Sequence, residues 1–130
     1  MPANPLDAYR TVEMATLSPR ELEASVLVKA AMKLKVLRDN WLPETSDDLL
    51  RDALDYNQKV WTFFQVELSL ETNQLPEEIK RNLLSLSLFV DRRTFDTLAY
   101  PAPEKLDALI NINMNIAAGL RGEVEASAAP

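Results

Sequence analysis

Four of the eight prolines stand where a helix would begin, each with a carboxylate close behind it. They are Pro5-Leu6-Asp7, Pro19-Arg20-Glu21, Pro76-Glu77-Glu78 and Pro103-Glu104. Proline costs little at a first helical position, because its missing N–H is one the helix leaves unpaired anyway. An acid in that turn meets the positive end of the helix dipole. Asn4 and Ser18 supply capping residues, and Ser18-Pro19-Arg20-Glu21 also fits a reciprocal capping box. Ser46-Asp47-Asp48 marks a fifth start without proline. Only two glycines occur, so a fold of tight β-hairpins is disfavoured. These signals predict an all-α, single-domain bundle of about five helices, near residues 5–15, 19–39, 46–70, 76–99 and 103–121, each boundary good to about three residues. The bundle is expected to occupy residues 1–121, with "GEVEASAAP" as a disordered tail over 122–130.

Apolar spacing agrees with the start signals. Leu22, Val26, Ala30, Leu34, Leu37 and Trp41 recur every three or four residues, as do Leu50, Leu54, Trp61, Phe64 and Leu68. Two stretches imitate strands. Leu and Ser alternate from Leu84 to Leu88, and "ININMNI" alternates from Ile110 to Ile116. A strand explains only those short runs. A helix explains Ile79, Leu83, Leu86 and Val90 together with the proline start, and places Leu106, Leu109, Ile110, Ala117 and Leu120 on one face.

The chain contains neither histidine nor cysteine, which removes the commonest general base, the commonest transition-metal ligand and any thiolate chemistry. There is no glycine-rich phosphate loop, and nothing marks two carboxylates as a facing pair. We therefore expect no enzyme, cofactor or metal. A net charge of −6 disfavours nucleic acid and anionic membranes. "MPANPLDAYR" lacks the basic and apolar blocks of a signal peptide, and no apolar run approaches a membrane span of about 20 residues. The expected location is the cytoplasm.

Apolar residues remain after one stripe per helix has been assigned. Second rows are Val28, Met32 and Val36; Tyr56, Phe63 and Leu70; and Leu84, Leu88 and Phe95. A helix that is apolar on two sides is either central or touches a partner, and a small domain has few central places. At least one row is expected to form an open groove for an amphipathic helix. Asn57 and Asn113 interrupt the main stripes. A buried amide without partners costs about 1–3 kcal/mol, so each is either satisfied internally or binds backbone of a partner helix. Lys29, Lys33, Lys35 and Arg38 form a basic run that is solvated, neutralised by Asp47, Asp48, Asp52 and Asp55, or exposed to RNA. Arg92 and Asp96 are spaced for an i,i+4 pair, while Arg93 faces either an internal group or a partner carboxylate.

Three segments in order, "SPRELEA" at 18–24, "NLLSLSLFVDRRT" at 82–94 and "KLDALININMNIAAGL" at 105–120, resemble the flagellar biosynthesis regulator family FlaF. Tyr9, the Trp61 region and the Leu75-Pro76 start fit as well. Met114 departs from the resemblance, since the family often carries arginine there. The resemblance implies a cytoplasmic, non-catalytic factor for making and exporting flagellin, either as a secretion chaperone or as a regulator acting with the companion protein FlbT on flagellin mRNA. On that basis flagellin is the expected partner and FlbT a second one, with Val28, Met32, Val36, Tyr56, Phe63 and Asn113 as candidate partner-binding residues.

Overall fold

A computed structural model describes the backbone of residues 19–42, 44 and 47–128, and side chains over 20–42, 44 and 47–122. Within them lie four α-helices and no strand: α1 (Pro19–Asp39), α2 (Asp47–Ser69), α3 (Glu77–Ala99) and α4 (Leu106–Ala128). A single 3-10 turn, Pro103–Lys105, leads into α4. The expected helix at 5–15 and the Ser18 and Ser46 caps fall outside the described residues, so five helices become four among those described.

Asn73 organises the α2–α3 turn. Its side-chain amide donates to the Glu67 carbonyl, and its Oδ1 accepts from the Leu75 N–H at 3.0 Å. Pro76 then precedes α3 in extended conformation. At the far end α3 stops at Ala99, because Pro101 keeps Tyr100 out of helical conformation (ψ 78°).

The centre of the domain is the antiparallel pair α1 and α4, the most extensively packed pair of helices. Ala24, Ala30 and Ala31 on α1 and Ala117 on α4 are fully buried. Small side chains there let two backbones approach closely while Leu27, Leu34, Leu106 and Leu109 fill the remaining space. Arg38, near the end of α1, donates to Asp107 at the start of α4 at 2.8 Å and to Asp39 at 3.1 Å. The bond to Asp107, then that to Asp39, pushes the Arg38 pKa further up. Helix α2 buries Leu50, Leu54, Val60, Trp61 and Phe64 against the pair.

Helix α3 packs mainly on α2, with the expected stripe turned inward except at its first residue. Of the expected stripe, Leu83 and Val90 are buried, Leu86 is half-buried and Ile79 is exposed. The rest of the buried face is Ser87, Thr94 and Thr97, whose hydroxyls donate to the carbonyls of Leu84, Val90 and Arg93 at 2.6–2.7 Å. Those bonds within the helix satisfy the buried oxygens, so small polar residues are accommodated inside. Leu84, Leu88, Phe89 and Phe95 are left in solvent.

Helix α4 runs to Ala128, where the sequence predicts a disordered tail from residue 122. Gly119 and Gly122 stand where a helix end is expected, yet neither has positive φ, so neither terminates the helix. Each has nothing within 4 Å of an added Cβ. Gly119→Ala is therefore expected to stabilise the fold by about 0.5–1 kcal/mol, through helix propensity and a less flexible unfolded chain. Thermal denaturation followed by circular dichroism checks this. A lowered midpoint would mean that the helix end is not built as described.

Candidate functional site

Between α1, α2 and their connection lies an open apolar groove of about 730 Å³. Met32, Val36 and Leu37 line it from α1, Leu42 from the connection, and Leu49 and Ala53 from α2. Met32 is 46% exposed, Val36 58%, Leu42 62% and Leu49 61%. Four large apolar side chains so exposed around one concavity are unusual for a monomeric surface. Polar groups stand at the rim: Lys29, Lys33 and Asn40 on α1, Glu44 in the connection and Asp52 on α2.

Of the residues proposed from sequence, Met32 and Val36 line this groove. Tyr56 borders it, because Lys29 and Lys33 both line the groove and both lie over the Tyr56 ring, at 5.5 and 5.0 Å. Val28 is half-buried against the core and does not line the groove. Phe63 is exposed further along α2, with its ring edge-on to Phe64 at 6.4 Å, and it too lies outside.

Asn113 belongs to the interior. It is 0% exposed and forms the hub of a buried network. Trp61 Nε1 donates to Asn113 Oδ1 at 2.9 Å, and Asn113 Nδ2 donates to Asn57 Oδ1 at 2.6 Å and to the Leu27 carbonyl at 3.4 Å. Indole is a donor only, so Trp61 fixes which way Asn113 faces, and Asn113 in turn fixes Asn57. Asn57 Nδ2 ends the network and is the one buried side-chain nitrogen or oxygen without a partner among the described residues. Of the two roles open to Asn113, the internal one is realised, because the amide ties α4 to α1 and α2 and presents nothing to solvent.

The basic run is divided. Lys29 and Lys33 face α2 and Tyr56, while Arg38 turns to Asp107 on α4. The expected Arg92–Asp96 pair is replaced, since Asp96 meets Lys105 at 3.1 Å. Arg93 stacks over Phe89 at 5.4 Å, an internal contact.

Sequence reasoning misses Leu42 and Leu49 as groove residues. The signal for Leu49 lies in the seven-residue row Tyr56, Phe63, Leu70, which extended one step back reaches Leu49. Leu42 carries no periodic signal, being in a connection.

Among the described residues no group of three or more acidic, histidine or cysteine side chains is placed to hold a metal, and no helix is long and apolar enough to cross a membrane. The arrangement is that of an all-α domain with an open apolar groove on one side and an exposed apolar row on another. The chain belongs to the flagellar protein FlaF family, whose family model matches residues 5–120, and it is thus a flagellum-related protein. No curated protein and no solved structure matches it.

Proposed function

We propose that this protein is a cytoplasmic, non-catalytic factor that binds flagellin directly, as a secretion chaperone or regulator of flagellin synthesis, by holding an amphipathic helix of flagellin in the α1–α2 groove. The observation that carries this reading is the groove itself, with Met32, Val36, Leu42 and Leu49 about half or more exposed around it. Covering each of these by a docked helix contributes roughly 1–2 kcal/mol. Four together meet the roughly 2–5 kcal/mol needed to order a disordered segment on binding. Flagellin's terminal segments, amphipathic and unfolded before assembly, are the substrate class that needs such cover.

The second reading is an adaptor or post-transcriptional regulator that acts with FlbT on flagellin mRNA without touching flagellin. What favours it is the separate apolar row Leu84, Leu88 and Phe95 on α3, which lies outside the groove and offers a second partner a surface. A direct RNA contact is less supported, since Lys29 and Lys33 lie over Tyr56 and Arg38 is held by two carboxylates. Size-exclusion chromatography of this protein with purified monomeric flagellin separates the readings. A direct chaperone co-elutes with full-length flagellin and fails with flagellin that lacks the bound terminal segment. An adaptor leaves flagellin's elution unchanged until FlbT is added.

A further inference from the structure

The rim of the groove is not electrically uniform. Lys29 and Lys33 are spaced i,i+4 on α1, a like-charge pair that disfavours its own helix. Both ammonium groups are nevertheless drawn over one ring, Tyr56, at 5.5 and 5.0 Å. Neither is in an ion pair with a described carboxylate, although Asp52 and Glu44 line the same groove. In a chain of net charge −6, two cations held together at the mouth of an apolar groove form a local site for an anion.

Resting on the groove reading above, we propose that Lys29 and Lys33, positioned by Tyr56, form a carboxylate subsite that reads an acidic side chain or terminal carboxylate at one end of the docked amphipathic helix. Charge complementarity selects this occupant. An apolar helix face fits Met32, Val36, Leu42 and Leu49, and a carboxylate flanking that face relieves the repulsion between the two lysines. Glu44 in the α1–α2 connection and Asp52 on α2 repel the same charge, so the attraction is confined to the place where both ammonium groups converge over Tyr56. An acid is therefore favoured at one end of the docked helix only. The docked segment takes one direction in the groove, which an apolar surface alone does not specify.

The test uses fluorescein-labelled amphipathic peptides of about five helical turns with one leucine face. Four versions carry glutamate at both ends, at the N-terminal end, at the C-terminal end, or glutamine at every such position. Binding to the full chain is read by fluorescence anisotropy. The doubly acidic peptide is expected to bind about 5- to 10-fold tighter than the glutamine peptide. One of the single-ended peptides carries that gain and the other does not. The double variant Lys29→Gln/Lys33→Gln is expected to abolish the gain, so that it binds the acidic and glutamine peptides alike, with an unchanged circular dichroism spectrum showing that it is folded. Equal affinities, a gain shared by both ends, or a gain that survives the double variant would overturn the subsite and leave the groove reading standing. Failure of every peptide to bind would overturn both.

Discussion

Asn113→Leu is expected to lower folding stability by about 3 kcal/mol, with no selective loss of partner binding in the fraction that stays folded. The substitution removes the acceptor of the Trp61 N–H and the donor to Asn57 Oδ1. Each polar group left buried without a partner costs about 1–3 kcal/mol, only partly offset by the added methyl groups. A domain of this size holds about 5–15 kcal/mol in total, so the loss is a large share. Asn57→Leu is the informative contrast. It removes the already unpartnered Asn57 Nδ2, and Asn113 keeps a longer bond to the Leu27 carbonyl at 3.4 Å. Its cost is expected to be about 1 kcal/mol, well below that of Asn113→Leu. Urea denaturation of both variants checks the order. If Asn113→Leu folded normally and lost flagellin instead, the amide would be a contact for the partner and the network would have been misassigned.

Met32→Asp/Val36→Asp is expected to weaken flagellin binding about 100-fold or more while leaving stability within about 1 kcal/mol of the wild type. Both side chains are about half exposed, so the folded state gives up little when they are replaced. Docking would force two carboxylates into an apolar contact, and burying them unpaired opposes binding by far more than the lost area alone. Leu84→Asp/Leu88→Asp on α3 is the control, since those residues lie outside the groove. It is expected to change flagellin affinity by less than about threefold. Equal losses from the two pairs would mean that binding is spread over the surface and that the groove has no special role.

The helices are legible in the sequence because their starts are written in local chemistry. Proline with acids behind it, and a cap ahead, act on neighbouring residues whatever the rest of the chain does, and α1, α2 and α3 begin within one residue of the expected positions. The end of α4 is not legible, because a glycine stops a helix only where the backbone takes positive φ, and the residues beyond the glycine decide that. The polar part of the buried face of α3 is hidden for another reason. Counting large apolar residues assumes that they face inward, whereas Ser87, Thr94 and Thr97 bond their own helix and enter the core at little cost. The surplus Leu84, Leu88 and Phe95 is visible in the sequence, and the structure leaves them 38%, 59% and 66% exposed. The groove itself is legible only in part. Met32 and Val36 announce themselves by spacing, but a cleft depends on how α1, α2 and their connection come together, which no residue encodes alone. Asn113 is ambiguous for the same reason, because its three partners come from α1 and α2.

Amide hydrogen exchange of the full chain, with and without saturating monomeric flagellin, reads the docking surface without any substitution. Docking in the groove is expected to slow exchange along residues 29–42 and 47–53, with the α3 segment 84–95 unchanged. Protection confined to 84–95, or no protection anywhere at a flagellin concentration that saturates binding, would contradict a flagellin site between α1 and α2.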